Sequence, residues 1–228
     1  MKLTWYGHAT WHIQVSGFNV LVDPFLSGNP LAPVSPDKVD ADFIVVTHGH
    51  ADHLGDTIEI ARRTGALVIA NAEISRWLSG HGLKTYGQHI GGSASHPFGR
   101  LKLTQAIHGS SLPDGTYGGM PAGVLISDGS CKVYHAGDTG LFPGMALIGE
   151  EAVDVALLPI GDRYTMGPED ALRAVKFLRP RVAIPMHYNT WDIIRQDPYQ
   201  WAACVREETG TEVVVLSAGD TYLVEGID

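Results

Sequence analysis

The sequence of 228 residues predicts an α/β protein built as a four-layer αββα sandwich of two similar halves. In each half a hairpin of strands delivers an aspartate, Asp23 or Asp138, and an apolar strand then ends in a polar loop, at 48–53 or 162–164. Two such halves packed sheet on sheet would bring both sets of strand ends to one edge, where ligands commonly bind in α/β proteins. Because no linker or low-complexity segment separates the halves, we expect one domain over residues 1–228.

The first half begins with a predicted antiparallel meander. Segments 2–7 and 10–15 alternate in polarity, and a turn at 16–19 leads into a third strand, 20–22, that ends at Asp23. A loop rich in proline and glycine follows over 24–38. Strand and helix patterns then alternate, with strands at 43–46 and 67–70 and helices at 56–64 and 72–79, each helix closed by a glycine.

The second half repeats this plan. Strands are predicted at about 101–107, 122–127 and 131–135, with a hairpin turn over 127–130. Asp138 lies just past this meander. Apolar runs then alternate with helical patterns: strands at 153–158, 182–184 and 213–216, and helices at 168–178 and 198–209.

The charge and hydrophobicity of the chain argue against some classes of partner. Lys plus Arg total 16 against 25 Asp plus Glu, and the formal charge of −9 gives no broad attraction for nucleic acid or anionic membranes. We therefore expect a small-molecule substrate and no nucleic-acid or membrane partner, with homo-oligomers allowed. No signal-type apolar segment begins the chain and no uncharged apolar run reaches 18 residues, which favours a cytoplasmic protein. Cys131 and Cys204 are predicted to be buried thiols.

The most informative motif follows the strand at 43–46. His48, His50, Asp52 and His53 fall within six positions, and imidazole and carboxylate groups are donors for divalent transition metals. Residues two apart in extended chain project to one side, so His48 and His50 could share one ion while Asp52 and His53 face a second. The alternative is a polar loop without metal.

Three further donors follow predicted strands far along the chain. His108 comes directly after the strand at 101–107, Asp138 lies in the sequence His-Ala-Gly-Asp-Thr-Gly, and His187 follows the apolar segment that contains 182–184. Because strand exits of both halves are expected at one edge, these residues are candidates to complete two metal sites.

This array of H-x-H-x-D-H, a later histidine, G-D-T and a final histidine resembles the metallo-β-lactamase superfamily, over nearly the whole chain. The resemblance implies two divalent metal ions per chain. It places one ion on His48, His50 and His108. It places the other on Asp52, His53 and His187, with Asp138 bridging the two.

Finer motifs resemble one branch of that superfamily. Gly7-His8-Ala9-Thr10, Val22-Asp23-Pro24-Phe25, the segment 165–171 and His187-Tyr188-Asn189-Thr190 are similar to uncharacterised metal-dependent hydrolases related to ascorbate-6-phosphate lactonase. The first two motifs also resemble N-acylphosphatidylethanolamine-hydrolysing phospholipase D. The chain departs from the branch at Gly161-Asp162, where many relatives have a second glycine.

Two ions about 3.5–4 Å apart can hold a bridging hydroxide at neutral pH and polarise a substrate oxygen. The nucleophile is then water, and Asp52 and Asp138 contribute to catalysis through the metals. The G-x-S-x-G motif of serine hydrolases is absent, which argues against an acyl-enzyme route. Nitrogen and oxygen donors suit Zn or Mn best, with Fe or Ni as further candidates.

Five more residues are candidates for the site. Asp23 could accept a proton from the free nitrogen of a ligand histidine, or cap the turn at Pro24. His8 could bind substrate or protonate the leaving group, or be a turn histidine. Tyr188 could bind an anion or pack in the core, and Asp162 and Arg163 could face substrate, with Arg163 pairing with a phosphate or carboxylate.

The remaining histidines are interpreted as ordinary polar residues, and His135 as a core or turn residue near Asp138. Gly118-Gly119 beside Tyr117 indicates either a mobile loop over the site or an ordinary bend. The leading hypothesis is a binuclear metal-dependent hydrolase of a small ester, lactone or phosphodiester. The alternatives are a nuclease for RNA or DNA, a di-iron oxidoreductase, and a metal-stabilised binding module without catalysis.

Overall fold

The computed structural model describes residues 1–225, and its core is a pair of seven-stranded sheets. The strands are, in chain order, β1 (Lys2–Trp5), β2 (Trp11–Val15), β3 (Phe18–Val22), β4 (Phe43–Val45), β5 (Leu67–Asn71), β6 (Thr85–Gln88), β7 (Ser93–His96), β8 (Gly99–Gln105), β9 (Ala122–Ser127), β10 (Lys132–His135), β11 (Val155–Pro159), β12 (Val182–Met186), β13 (Glu212–Val213) and β14 (Thr221–Leu223). The first sheet has the order β14-β1-β2-β3-β4-β5-β6, and the second has the order β13-β12-β11-β10-β9-β8-β7.

The two sheets have the same internal plan. In the first, β14, β1, β2 and β3 pair antiparallel and β3 to β6 pair parallel. In the second, β7 to β10 pair antiparallel and β10 to β13 pair parallel. This repeat confirms the prediction of two similar halves.

Helices follow several of the parallel strands. They are α1 (Ala51–Leu54), α2 (Thr57–Thr64), α3 (Ala72–Gly80), α4 (Met145–Gly149), α5 (Pro168–Leu178) and α6 (Pro198–Glu208). Two short 3₁₀ helices cover Pro36–Lys38 and Asp192–Ile194. Local sequence explains several ends: α2 stops at Gly65 in the left-handed conformation, and the Asp197 side chain accepts hydrogen bonds from the first amides of α6.

Alternation along β3 shows how the layers form. Val20 and Val22 belong to the core that includes residues of both sheets. Leu21, between them, joins a second core with Ile60 of α2 and Leu78 of α3. Because successive strand residues point to opposite faces, one face of this sheet packs on its partner sheet and the other on helices. The four-layer αββα prediction is confirmed.

Several predicted boundaries are wrong. β1 ends at Trp5 because Gly7 and His8 adopt positive φ angles of 87° and 52°, which turn the chain. β6, β7, β14 and α4 were not predicted, because they are short or, at the sheet edges, rich in polar residues. The strand expected at 213–216 is the two-residue β13. Cys131 is buried as expected, but Cys204 is only partly buried.

Within residues 1–225, none of the helices is long and apolar enough to cross a membrane.

Candidate metal centre

The predicted donors lie at the carboxyl ends of strands of both sheets. The motif at 48–53 follows β4, and His108, Asp138 and His187 follow β8, β10 and β12. β8 and β10 run in the same direction because each pairs antiparallel with β9. β12 runs in the same direction as β10, because both pair parallel with β11. All three exits of the second sheet therefore lie at one edge, where Asp138 lies close to His108, to His187 and to His53 of the first sheet's motif.

One group of donors comprises His48, His50 and His108. One ring nitrogen from each lies within 4.8 Å of the others. His48 Nε2 is 3.0 Å from His50 Nδ1, and the ring of His108 is centred 5.1 Å from His48 and 5.0 Å from His50. Three imidazoles facing one point form a suitable half-shell for a divalent transition metal.

A second group comprises Asp52, His53 and His187, and His8 joins it. One donor atom from each of the four residues lies within 4.8 Å of the others. The His8 and His187 rings are centred 3.9 Å apart, and His8 Nε2 lies 3.2 Å from Asp52 Oδ2. The structure thus brings together the second set of candidate ligands, with His8 packed directly against it.

Asp138 lies between the two groups. Its Oδ1 is 3.3 Å from His53 Nε2, and its Oδ2 is 3.0 Å from His187 Nε2 and 3.6 Å from His108 Nε2. One carboxylate therefore faces donors of both groups, which is the position that a bridging ligand requires.

Unsatisfied buried atoms concentrate at this point. Within the described part of the chain, His53 Nε2, Asp138 Oδ1 and both ring nitrogens of His187 are buried and make no hydrogen bond. Buried polar atoms without a partner are costly and rare in folded proteins. A coordinated cation would satisfy His53 Nε2, Asp138 Oδ1 and one ring nitrogen of His187, so the residues present fit a metal centre of nitrogen and oxygen donors.

Asp23 supports ligands of both groups. Its Oδ2 accepts a hydrogen bond of 2.7 Å from His53 Nδ1, which leaves His53 Nε2 facing Asp138. The same oxygen accepts a hydrogen bond of 2.6 Å from Thr47 Oγ1, and Thr47 Oγ1 lies 3.0 Å from His48 Nδ1. The Thr47 hydroxyl donates its single proton to the carboxylate, so it accepts from His48 Nδ1. The tautomers of both histidines are thereby assigned.

His8 is fully buried, and both of its ring nitrogens have partners. A carboxylate accepts only, so His8 Nε2 donates to Asp52 Oδ2, and Nδ1 accepts from Thr190 Oγ1 at 2.8 Å. The His8 carbonyl accepts from His187 N at 3.0 Å. His8 and His187 both have positive φ, at 52° and 54°, a backbone strain that clusters at functional sites.

Burial and charge shift the titration of these groups. Burial, the main cause, and the nearby His187 together lower the pKa of His8 to about 4. Burial works against ionisation of Asp138, but His187 and His53 outweigh it and hold its pKa well below the usual range. Burial likewise opposes protonation of His53, but Asp138 and Asp23 raise its pKa well above the usual value. The carboxylates of Asp138 and Asp23 therefore favour positive charge at this point of the pocket.

The other candidate residues lie outside this cluster. Tyr188 is 4% exposed and stacks on Trp5 with ring centroids 5.5 Å apart, so it packs in the core and does not face an anion. His135 is also structural, with Nε2 donating to the Ala9 carbonyl at 2.9 Å. Asp162 and Arg163 are exposed and have φ angles of 61° and 47°. A φ of 61° at Asp162 is a conformation that glycine adopts without strain.

The loop at 109–121 is anchored beside the site. Ser110 Oγ accepts from Gly49 N at 3.1 Å and donates to the Gly118 carbonyl at 3.0 Å. Asn71 Nδ2 donates to the carbonyls of Gly118 and Met120 at 2.6 and 2.9 Å. These bonds describe a bend that is anchored at Ser110, Gly118 and Met120. Sequence reasoning missed Ser110, Thr47 and Thr190, although Thr47 and Thr190 stand close to predicted ligands in the chain.

The fold and the donor set define a class of metal-binding αββα proteins. The family described as Beta-lactamase superfamily domain matches residues 18–188. A UPF0173 metal-dependent hydrolase of Bacillus cereus strain B4264 is 48% identical over 227 residues, covering 97% of this chain and 99% of that protein. The chain belongs to the β-lactamase superfamily and, within it, to the UPF0173 metal-dependent hydrolases, which confirms the resemblance and the expectation of an enzyme.

Solved structures agree on the architecture. Igni18, a metallo hydrolase from Ignicoccus hospitalis, matches with a TM-score of 0.90 and 42% identity, covering 97% of each chain. An isothiocyanate hydrolase from gut bacteria of Delia radicum matches with a TM-score of 0.78 and 21% identity over 100% of both chains. CmlA, a diiron β-hydroxylase from Streptomyces venezuelae, has a TM-score of 0.76 at 19% identity, covering 97% of this chain and 53% of its own. The last two likenesses show the fold alone.

Proposed function

We propose that this protein is a binuclear metal-dependent hydrolase that cleaves a small ester, lactone or phosphodiester with water as the nucleophile. The observation that carries the proposal is the set of buried, unsatisfied donor atoms on His53, Asp138 and His187, next to the three-histidine group. Side chains from both sheets supply these atoms, so the atoms come together only when the chain has folded.

The candidate ligands divide between two ions. His48, His50 and His108 would hold the first, Asp52, His53 and His187 would hold the second, and Asp138 would contact both. Two divalent cations at such a centre supply an activated water and polarise the scissile oxygen of the substrate. We propose Zn²⁺ or Mn²⁺ as the ions, since both accept this donor set.

The protein groups around the ligands fix their orientation. Asp23 holds a proton on His53 Nδ1, and the Thr47 hydroxyl holds one on His48 Nδ1. His8 carries a proton on its own Nε2 and donates it in a hydrogen bond to Asp52 Oδ2. Because both nitrogens of His8 are engaged and its side chain is fully buried, we assign it the positioning of Asp52 and not proton delivery to the leaving group.

Metal-dependent turnover tests the proposal. Untagged protein is stripped with a chelator, reloaded with Zn²⁺ or Mn²⁺, and assayed on p-nitrophenyl acetate, a γ-lactone and bis(p-nitrophenyl) phosphate. We expect turnover of at least one substrate that is lost in Asp138→Asn. Asp40→Asn is the matched control, because Asp40 is 85% exposed. Undiminished turnover in Asp138→Asn would overturn the mechanism, and absence of turnover on all three substrates would count against the proposed substrate classes.

A further inference from the structure

An aromatic pair borders the second group of donors. The Trp191 ring packs edge-on against His8 with centroids 5.0 Å apart, and the Phe25 ring is centred 5.6 Å from His8 and 6.1 Å from Trp191. His8 in turn contacts Asp52. We call Phe25 and Trp191 the aromatic wall. It lies one side chain away from a proposed metal ligand.

The wall is held rigidly on the Phe25 side. The backbone of Phe25 is fixed by two hydrogen bonds. Its N–H donates to Thr10 Oγ1 at 3.1 Å, and its carbonyl accepts from Asn29 Nδ2 at 3.0 Å. Gly55 packs beneath it so closely that a Cβ there would lie 2.2 Å from the Pro24 carbonyl oxygen. A fixed aromatic surface loses little conformational entropy when an apolar group binds to it.

The Trp191 side remains open to solvent. Trp191 is 38% exposed although it directly follows Thr190, which is buried and hydrogen-bonded to His8. Exposed large apolar side chains recur in the loops that leave the second sheet at this edge: Ile107, Tyr117, Met120, Tyr164, Trp191 and Ile193. An exposed apolar rim around a polar site is typical of a ligand-binding surface.

Cationic side chains are scarce in the same loops. The segments 106–121 and 136–144 contain no Lys or Arg, and the segments 160–167 and 187–197 contain one each. Of these two, Arg195 forms a salt bridge of 2.8 Å with Asp192. Recognition of a phosphate group usually relies on Arg or Lys contacts, which this rim provides poorly.

We infer that the substrate is an uncharged carboxylic ester whose apolar acyl or aryl group packs on the aromatic wall of Phe25 and Trp191, in preference to an anionic phosphodiester. This inference rests on the proposed function and narrows its substrate class. In the reaction a bond forms between the oxygen of water and the acyl carbon. The bond from that carbon to the leaving oxygen breaks, and a proton from water passes to the leaving alcohol or phenol, without any redox change.

The dependence of kcat/KM on the length of the acyl group, measured with the metal-loaded enzyme, tests whether substrate packs on the aromatic wall. From p-nitrophenyl acetate to the hexanoate, which adds four methylenes, we expect kcat/KM to rise about tenfold. Each fully buried methylene contributes about fourfold, so this rise corresponds to full burial of fewer than two of the four on a wall that is open to solvent on one side. Both esters should exceed bis(p-nitrophenyl) phosphate. Trp191→Ala should abolish the chain-length dependence and Trp191→Phe should keep it. Leu147→Ala, which removes a side chain that is 68% exposed on α4, is the matched control and should leave the dependence unchanged.

A binding measurement separates this inference from the proposed function. Metal-free protein is titrated with hexanamide, which is uncharged and not cleaved, while the tryptophan indole N–H signals are followed by NMR. The Trp191 signal, assigned with Trp191→Phe, should shift, and that of Trp77, which donates to Asp114, should not. A shift without any ester turnover would count against esters as the substrate class of the proposed function but keep the aromatic wall as an apolar binding surface. No selective shift, or faster cleavage of the phosphodiester with no effect of Trp191→Ala, would overturn the inference.

Discussion

Asp23 Oδ2 accepts a hydrogen bond of 2.7 Å from His53 Nδ1, and both side chains are fully buried. Through Thr47 Oγ1 the same oxygen is also connected to His48. His48 and His53 belong to different donor groups, so one carboxylate orients a candidate ligand for each of the two proposed ions. Partners of this kind fix the tautomer and ring orientation of metal-bound histidines.

Asp23→Asn should therefore weaken both proposed metal sites. The amide is similar in size, but it cannot accept all the hydrogen bonds that the carboxylate accepts from Thr47 and His53. We expect metal affinity to fall about 10- to 100-fold, the usual effect of removing such a partner. Competition with a chromophoric chelator measures it. Asp40→Asn should bind metal like the wild type, and unchanged affinity in Asp23→Asn would refute the role of Asp23.

Thr47→Val should act on one site only. It removes the hydroxyl between Asp23 and His48 but leaves the bond from Asp23 to His53 in place. In the same chelator competition, we expect the affinity of one ion to fall about tenfold and that of the other to stay close to wild type. Thr47→Ser keeps the hydroxyl and is the matched control. Equal weakening of both ions would contradict the separate roles of the two links.

His8→Phe tests the positioning of Asp52. Phenylalanine keeps an aromatic ring of similar shape, but it removes the hydrogen bonds to Asp52 and Thr190. We expect about tenfold weaker binding of the second ion, in line with other hydrogen-bonding partners of metal ligands. Turnover should fall with it, and excess metal should restore much of the loss. If turnover disappeared at full metal occupancy, His8 would have a direct role in the chemistry.

Gly161→Ala should destabilise the protein near His187. A Cβ at this glycine would lie 2.2 Å from the His187 carbonyl oxygen and 3.2 Å from Ile194 Cβ, so backbone must shift. Overpacking of this kind costs about 1–3 kcal/mol in the free energy of unfolding. Urea unfolding of the metal-free protein measures the effect. Gly210→Ala, where a Cβ meets nothing within 4 Å, is the control, and equal stability of the two variants would contradict the packing argument.

The sequence predicted the two-sheet architecture because it depends on hydrophobic periodicity and on the repeat of hairpin, aspartate and parallel strands. The short strands β6, β7 and β14 could not be predicted in the same way. Their formation depends on pairing with neighbours distant in the chain, as when β14 adds to β1 across 217 residues at Thr4 and Thr221.

The candidate donors could be proposed from the sequence because they lie in the segments that follow β4, β8, β10 and β12. The residues that hydrogen-bond to these candidate ligands were harder to predict from the sequence. The links from His48 through Thr47 to Asp23 and from His8 to Thr190 form only when the chain has folded. For Tyr188 the sequence left two alternatives open, a role at the site and packing in the core. Its place beside His187 suggested a role at the site, but its side chain is buried and stacks on Trp5.

The metal content of purified, untagged protein tests the central claim most directly. After loading with Zn²⁺ or Mn²⁺ and removal of excess ion, inductively coupled plasma mass spectrometry should find two ions per chain. His108→Ala and His187→Ala should each retain about one tightly bound ion, since each removes a ligand from a different group and such losses usually cost 10-fold or more in affinity. A single ion per chain in the wild type, or loss of the same ion in both variants, would contradict the binuclear centre.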